Sequence, residues 1–217
     1  LNLFELKTIS LSIMSRVVPA TSDVMDLVLP NILLNKDDFV IEKFYSVLGG
    51  FSLRKTYDIV YALIAINIAD RIRDGRKRHI PLFKWNGMNC IEDCIVRVRR
   101  KLDKEGMSPS EGKIKAVDLE EISSQLFEYV VWEADRAVNI LTWEACLRSV
   151  GGDADVKDNA KRRLNDILSV WKALGVVDFK PGKSRWSEGI VLNLAFFSEG
   201  NSVQMAQASL HGIAEKA

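Results

Sequence analysis

Cysteine and histidine are scarce in this sequence, which excludes two common ways of building a site or stabilising a small fold. The chain has 217 residues, with three cysteines, Cys90, Cys94 and Cys146, and two histidines, His79 and His211. The cysteines are odd in number and form no Cys-x-x-Cys pair, and the histidines lack the spacing of metal ligands. We therefore expect no metal site, no disulfide framework and no cofactor, in a chain that works in a reducing, intracellular compartment.

An excess of charge of either sign is also missing. Thirty Lys and Arg residues against 29 Asp and Glu residues leave a formal net charge of +1. This balance argues against a protein that is basic over its whole surface, such as a histone-like packing protein. It permits a basic face that acidic residues elsewhere offset, so charge has to be judged locally.

Long hydrophobic runs do not occur at the start of the chain. The segment from Leu1 to Pro19 is apolar in places, but Glu5, Lys7 and Arg16 interrupt it. It is too short and too interrupted for a membrane span, and it is not a convincing signal peptide. We expect no membrane partner, and we interpret residues 1–20 as an N-terminal arm.

No constellation of catalytic residues stands out. The sequence has no Gly-rich phosphate loop, no paired His and Cys, and no pair of carboxylates that catalysis explains better than an exposed helix face does. The composition, 47% apolar and 27% charged, leaves room for one large or two small globular domains. We expect a binding protein and not an enzyme.

What the sequence does contain is one helix pattern that occurs twice, from Ser52 to Ile68 and from Ala160 to Val176. In both copies, core-type residues recur at i, i+3, i+4, i+7 and i+10, which is the stripe of an amphipathic helix. A basic pair stands at the front of each helix, off that stripe. Shifted by 108 positions, Arg54 falls on Arg162, Lys55 on Arg163, Asp58 on Asp166, Ile59 on Ile167, Leu63 on Trp171 and Ala65 on Ala173.

The segments after the two helices match as well. Each helix is followed by a short run, a Gly-led basic turn and a second run. Helix, strand, basic tip and strand are typical of a winged helix, a relative of the helix-turn-helix whose last helix enters the major groove beside the hairpin. The three segments are 68–74, 75–79 and 80–85 in the first copy, and 176–180, 182–185 and 190–197 in the second.

Further helices are predicted around these repeated units. In the first copy they run through 24–32 and from Phe39 to Leu48, before Gly49 and Gly50. In the second copy they run from Ala116 to Asp135 and from Leu141 to Val150, before Gly151 and Gly152. A basic helix is predicted from Ile91 to Leu102, and a polar linker from Asp103 to Lys115.

Together these patterns predict an α+β, mostly helical fold of two tandem winged-helix domains, each with three helices and a β-hairpin wing. The expected boundaries are 1–20 for the arm, 21–90 for the first domain, 91–115 for the helix and linker, 116–198 for the second domain and 199–217 for a polar tail.

The stretch Arg54-Lys-Thr-Tyr-Asp-Ile-Val, followed by Ala-Leu-Ile-Ala-Ile-Asn-Ile and closed by Phe83-Lys-Trp-Asn-Gly, resembles the winged helix of the E2 factor/DP family of transcription factors. The recognition helix of that family reads R-R-x-Y-D before an apolar run. The likeness covers about residues 22 to 87. The second copy keeps Arg162 and Arg163 but has Asn165 where the family has Tyr. The tandem arrangement is similar to the atypical branch, in which two winged helices of one chain stand in for a heterodimer.

This resemblance implies a nuclear transcription regulator that binds double-stranded DNA with a G·C-containing core. It implies base contacts by Arg54, Lys55, Arg162 and Arg163, although Lys55 lacks the fork with which arginine binds guanine O6 and N7. We expect Asp58 to hold Arg54, since a carboxylate that faced the phosphates would repel them. Contacts to the DNA backbone are expected from Tyr57, Arg76, Lys77, Arg78, Lys183 and Arg185.

Two other interpretations stay open. Lys and Arg are common at solvent-facing helix starts, and at hairpin edges they block the pairing of stray strands. Winged helices also serve as protein-interaction scaffolds in larger nuclear complexes for transcription, replication or DNA modification, because a fold does not fix a function. The near-zero net charge favours this alternative, which would give the chain a protein partner. Salt-dependent binding of DNA by the isolated chain would separate the two functions.

Overall fold

The computed structural model describes six stretches of the chain: residues 39–40, 53–72, 82–106, 119–150, 157–180 and 189–214. These residues form an α+β fold that is mostly helical, with six α-helices and two small antiparallel sheets within the described stretches. None of these helices is long and apolar enough to cross a membrane.

The first half of the described chain contains a long helix, α1 (Leu53–Ala65), and three strands. The strands are β1 (Phe39–Val40), β2 (Ala69–Ile72) and β3 (Leu82–Trp85). Strand β3 lies in the middle and pairs antiparallel with both neighbours, so that Phe83 lies opposite Phe39 on one side and opposite Arg71 on the other. The helix therefore runs directly into a small sheet whose central strand comes last in sequence.

The second half repeats this arrangement. Helix α3 (Leu119–Asp135) leads to strand β4 (Ile140–Leu141), the short helix α4 (Trp143–Ser149) and the long helix α5 (Lys157–Ala173). Strands β5 (Val177–Lys180) and β6 (Gly189–Leu192) follow. The sheet has the order β4-β6-β5, in which the last strand is again central and antiparallel to both neighbours.

The turn that ends each long helix is built in the same way. Asn67 and Gly175, which are 108 positions apart, adopt left-handed backbone conformations with φ of 63° and 74°. In each turn the next amide donates back to the helix, from Ile68 to the Leu63 carbonyl and from Val176 to the Trp171 carbonyl. An asparagine after the last strand then donates to the carbonyl of the left-handed residue: Asn86 to Asn67 at 3.2 Å and Asn193 to Gly175 at 2.8 Å. The repeat that the sequence predicts thus extends through strand and turn.

Helix α2 (Cys90–Glu105) ties the two halves together. It packs against α3 and against α6 (Ser202–Ala214), which follows a 3-10 helix at Leu194–Phe197. The Arg99 guanidinium donates to the Asp135 carboxylate at 2.6 to 3.0 Å and to the Phe197 carbonyl at 2.7 Å. One side chain of α2 thereby joins the end of α3 to the segment before α6.

The apolar core is continuous through both halves, with α1 at its centre. Helix α1 packs against α3 and α5, and eight of its thirteen residues are buried. The Phe127 ring meets the Trp171 ring edge-on at 5.5 Å. Ten residues of the two predicted stripes are fully buried, which confirms the predicted faces: Thr56, Ile59, Val60, Leu63, Ile66, Leu164, Ile167, Leu168, Trp171 and Leu174.

Three predicted segments are wrong in part. Phe39 and Val40 were expected to begin a helix, but they form β1, because β3 offers them an unpaired edge. Leu141 was expected in a helix but lies in β4, and α4 begins only after Thr142, whose hydroxyl caps it by accepting from the Ala145 amide at 3.1 Å. The predicted strand 190–197 ends at Leu192 and continues as the 3-10 helix.

Most of the remaining segments agree with the prediction where they are described. The basic helix predicted from Ile91 to Leu102 is α2, and the helix predicted to end at Asp135 is α3. The expected polar tail is different: it contains α6, a full helix whose Ser202 and Ala206 are buried and which packs against α2. The expected N-terminal arm, the helix through 24–32, residues 41–48, both hairpin tips and most of the linker lie outside the described residues.

Candidate nucleic-acid interface

The two long helices α1 and α5 pack against each other and run in the same direction. The Trp171 indole Nε1 donates to the Ala62 carbonyl of α1 at 3.0 Å, and the Asp166 carboxylate acts on that of Asp58. Asp58 and Asp166 are equivalent in the repeat, and Ala62 is equivalent to Val170, one residue before Trp171. The earlier residues of the two helices thus interact with each other, and so do the later ones, which indicates that the helices run in the same general direction. Their N-terminal parts are therefore at the same end.

This arrangement brings the four predicted base-contacting residues to one end of the helix pair. Arg54 and Arg162 are exposed, with 47% of the Arg54 side chain accessible, whereas Lys55 and Arg163 are half-buried. Equivalent residues thus have equivalent exposure in the two halves. Arg54 lies in the first described turn of α1, while α5 extends about one turn beyond its own basic pair, to Lys157. The two basic pairs therefore lie at slightly different depths along their helices.

The first turn of α1 differs from the first turns of α2, α3 and α4. Helices α2, α3 and α4 carry Glu or Asp in their first turns, as the partial positive charge at a helix N-terminus favours. Helix α1 has no acidic residue there and carries Arg54 and Lys55 instead. A basic pair at this position opposes the helix dipole, so its presence is not explained by helix stability. It does suit an anion held at the helix start.

Asp58 lies at the seam between the two helices and is fully buried. The Arg54 Nε atom is 3.9 Å from Asp58 Oδ2, an ion pair along the helix, and neither oxygen of Asp58 accepts a hydrogen bond from a described residue. Burial and, second to it, the neighbouring Asp166 carboxylate raise the pKa of Asp58 to about 6, against the opposing effects of three basic residues. The expected ion pair between Asp58 and Arg54 is present, but its 3.9 Å separation is long for a direct contact.

Tyr57 is half-buried, and its ring stacks on that of Tyr61 at 5.9 Å. At the equivalent place in α5, the backbone carbonyl of Asn165 accepts from the Ser169 hydroxyl at 2.7 Å. The two helices therefore differ at this position, where the first has an aromatic ring close to the basic pair. A contact between the Tyr57 hydroxyl and DNA stays a prediction.

The predicted backbone-contacting residues of the wings, Arg76, Lys77, Arg78, Lys183 and Arg185, lie outside the described residues. The strands on either side of each tip are described and paired. Ile72 is opposite Leu82, and Lys180 is opposite Gly189. Both tips therefore connect neighbouring antiparallel strands, as a hairpin requires.

The described residues offer little to other kinds of chemistry. They contain no cluster of three side chains that could hold a metal ion. The three cysteines are free thiols, and burial raises the pKa of Cys94 and raises that of Cys146 to about 12. Thiols in such surroundings stay protonated and are poor nucleophiles.

Two cavities lie away from the basic pairs. One, of about 580 Å³, is lined by Lys172, Asp178 and Asn193 at the C-terminal end of α5. The other, of about 270 Å³, lies between α1, α2 and α3 and is lined by Arg97 and Glu128 among others. Acidic and basic groups pair with each other at both sites, as Lys172 does with Asp178 at 2.8 Å. Such pairs line a surface without preparing a group for catalysis.

Two parts of this site were not predicted from the sequence. The direct packing of α1 on α5 was missed, although Trp171, at the position of Leu63 in the repeat, is a signal for a large cross-helix contact. The role of α2 in joining the halves was also missed, because its sequence indicates only a basic helix that precedes a linker.

Comparisons with models of protein families, with curated proteins and with solved structures found no match to this chain. The likeness to the E2 factor/DP family therefore stays a resemblance of short motifs. The function proposed below depends on the geometry of the helix pair.

Proposed function

We propose that the chain binds double-stranded DNA at a G·C-containing site, as a nuclear transcription regulator, with two winged helices acting as an intramolecular pair. One observation carries this proposal. The helix with the basic start occurs twice, and the two copies lie side by side with their basic pairs at the same end. Basic residues that only face solvent at a helix start would not need to recur at the same end of a helix pair. A surface that contacts two successive parts of one duplex would need two such basic pairs side by side.

The proposal that each half is a winged helix is supported by the order of its elements. In both halves a long helix is followed by a hairpin, and the last strand pairs with a short strand that precedes the helix. In such a fold the long helix enters the major groove and the hairpin flanks it. The basic tips expected between β2 and β3 and between β5 and β6 would then lie near the phosphates.

The charge at the helix starts supports contact with an anion. Arg54 and Arg162 are exposed there, and their guanidinium groups have the fork that binds guanine O6 and N7 in the major groove. Lys55 provides charge without that fork. We therefore assign the main base contacts to Arg54 and Arg162 and place Lys55 and Arg163 closer to the seam.

A protein-interaction scaffold is the second candidate. The near-zero net charge and the half-burial of Lys55 and Arg163 favour it, because both reduce the positive surface offered to DNA. In that case the helix starts would bind an acidic surface of a protein partner in a nuclear complex. A DNA-binding regulator would bind a bare duplex as an isolated chain, whereas a protein-interaction scaffold would not.

The experiment that tests the proposal measures binding of labelled duplexes by fluorescence anisotropy, after selection of bound sequences from a random pool. We expect tighter binding to G·C-core than to A·T-only duplexes. The affinity should fall with salt, with a log-log slope of roughly 0.9 for each phosphate contact. Equal binding to both duplexes would reject base reading, and no binding at low salt would favour the scaffold.

Substitutions assign the contacts. Arg54→Ala and Arg162→Ala should each cost about 1–3 kcal/mol and relax the preference at one base pair. Arg100→Ala removes another exposed arginine, from α2 and outside the repeated helices, and is the matched control for loss of charge. Lys55→Arg restores the fork and should strengthen binding to a G-containing site. If Arg54→Ala, Arg162→Ala and Lys55→Arg all leave the DNA affinity of the folded protein unchanged, the basic pairs are only solvated helix starts.

A further inference from the structure

The repeat that makes the two long helices alike breaks down along one row of side chains. The residues of this row are four positions apart, so they are neighbours on one face of each helix. In α1 the row is aliphatic and aromatic, whereas in α5 it is polar. Its members are Leu53, Tyr57 and Tyr61 in α1, and Lys161, Asn165 and Ser169 at the equivalent positions of α5.

The row of α1 becomes more exposed toward the start of the helix. Tyr61 is buried, and the half-buried Tyr57 stacks its ring on that of Tyr61 at 5.9 Å. Leu53, one turn before Tyr57, is 48% exposed. The row therefore ends at the helix start in an apolar side chain that reaches solvent. The corresponding end of the α5 row is Lys161, which is half-buried.

Leu53 directly precedes Arg54, to which the main base contact of α1 is assigned. Both side chains reach solvent in the same helical turn. Of the large apolar side chains that the described residues expose, Leu53 is the one that adjoins a basic pair, since Val96 lies in α2 and Ile140 in β4. Consecutive helix residues rise by about 1.5 Å and successive base pairs by about 3.4 Å. Leu53 would therefore meet the base pair that Arg54 contacts or the one beside it.

The apolar feature that a base pair presents in the major groove is the methyl group at C5 of a pyrimidine. Thymine carries this methyl group, and apolar side chains contact it there. The base 5-methylcytosine carries a methyl group on the same ring atom, whereas cytosine and uracil have only hydrogen. A lysine at the equivalent position offers a strongly hydrated ammonium instead, which suits a phosphate and not a methyl group.

We infer that Leu53 is a specificity-determining residue, which contacts the C5 methyl group of a pyrimidine at or beside the base pair bound by Arg54. Helix α5, with Lys161 at the equivalent position, makes no such contact. The DNA site is therefore asymmetric, with a methyl group required on one side of its G·C-containing core. This inference rests on the proposed function, because it adds a base contact to the same helix start.

The test compares duplexes that differ by a single methyl group. In a site selected from the random pool, thymines in and beside the core are replaced one at a time by uracil, and cytosines by 5-methylcytosine. We expect fluorescence anisotropy to show about fourfold tighter binding with the methyl group at one position on one side of the core, equivalent to roughly 0.8 kcal/mol for one buried methyl group. On the other side the methyl group should have no effect. The replacement that changes the affinity identifies the pyrimidine as thymine or 5-methylcytosine.

Variants assign the methyl effect to the first helix. Leu53→Ala should abolish it, so that both duplexes bind as the methyl-free one does. Val96→Ala, which shortens a 37% exposed apolar side chain of α2, is the matched control and should keep the effect. Lys161→Leu should create a second effect of about the same size on the other side of the core. The loss of the lysine charge does not alter this ratio, because the two duplexes carry the same phosphates.

Equal binding of all methyl-bearing and methyl-free pairs by the unaltered chain would overturn the inference. The proposed function would stand if that chain still prefers G·C-core to A·T-only duplexes. A methyl effect that survives Leu53→Ala also overturns the inference. If Leu53→Ala does not fold, as judged by circular dichroism, the absence of a second methyl effect in Lys161→Leu overturns it instead. A chain that binds no duplex at all removes both the proposed function and this inference.

Discussion

The two long helices occupy equivalent places in the repeat, but they do not have equivalent surroundings. Helix α1 lies between α3 and α5 and packs against both, whereas α5 packs against α1, the short helix α4 and strand β5. Helix α1 has no basic residue in its last turn, while α5 carries Lys172 there, in an ion pair with Asp178. The first helix is therefore the centre of the fold, and the second lies at one side of it.

This difference shows that the two halves are not independent units joined by a linker. Helix α3 belongs by sequence to the second half, yet it packs on the long helix of the first. Arg99 of α2 joins the end of α3 to the Phe197 carbonyl. Each half thus completes the core of the other, and the orientation of the two basic helix starts is fixed by that shared core.

The largest expected effect comes from the residue that crosses between the halves. Trp171→Ala should lower the free energy of unfolding by about 3–5 kcal/mol, because it empties a fully buried site and removes the 3.0 Å bond to Ala62. Leu63→Ala, at the equivalent position of α1, should cost less, since that side chain is smaller and donates no hydrogen bond. Urea denaturation measures both.

Trp171→Phe is the control that separates packing from hydrogen bonding. It keeps most of the buried ring and should cost about 1 kcal/mol for the lost bond, in addition to a small packing defect. If Leu63→Ala lowers the free energy of unfolding more than Trp171→Ala does, the contact between the two long helices contributes less to stability than the core of the first half. The predicted order of the two effects would then be wrong.

The second prediction concerns the buried acid at the seam. The pKa of Asp58 is raised from 3.8 to about 6 in the folded protein, so its stabilising contribution is fully present below pH 4 and is lost as the pH rises through 6. A difference of roughly two units corresponds to at most about 3 kcal/mol. Asp58→Asn should therefore stabilise the protein at pH 8 by up to that amount and flatten the dependence of stability on pH between 4 and 7.

Thermal unfolding at several pH values checks this. Asp103→Asn, which removes an exposed charge from α2, is the matched control and should leave the pH dependence as it is. A pH dependence that survives Asp58→Asn would show that another group controls it.

Sequence periodicity predicted which faces are buried but not what they are buried against. The stripes of α1 and α5 were found from the recurrence of apolar residues, and Ile59 and Ile167 are fully buried as expected. The same periodicity is satisfied by any apolar partner. The packing of α3 on α1, across the two halves, therefore has no local sequence signal.

Short elements were the least predictable part. Strands β1 and β4 have two residues each, too few to show the alternation of a strand. Both are defined by pairing with a central strand that follows far later in the chain. For the candidate site, the basic residues and their recurrence were found from sequence, whereas the burial of Asp58 depends on how two distant helices meet.

The smallest expected effect comes from exchanging the residues of the two equivalent turns. Asn67→Gly should cost about 1 kcal/mol, because Gly adopts the same left-handed conformation and two long side-chain hydrogen bonds are lost: from Asn67 Nδ2 to the Cys90 carbonyl at 3.3 Å and from Asn86 Nδ2 to Asn67 Oδ1 at 3.4 Å. Gly175→Asn should cost about 1–3 kcal/mol. A Cβ at Gly175 would lie 2.5 Å from the Ser209 hydroxyl oxygen of α6, although Asn tolerates the backbone conformation itself.

Two controls assign this cost to α6. Gly200→Asn, at a φ of 75° with no atom near the new Cβ, should cost only a few tenths of a kcal/mol by comparison. Ser209→Ala in the Gly175→Asn background removes the clashing oxygen and leaves the Ser209 Cβ position at an ordinary 3.6 Å, so most of the stability should return. Equal costs for Asn67→Gly and Gly175→Asn in urea denaturation would mean that the turns are interchangeable. The close approach of α6 would then not be what distinguishes the second half from the first.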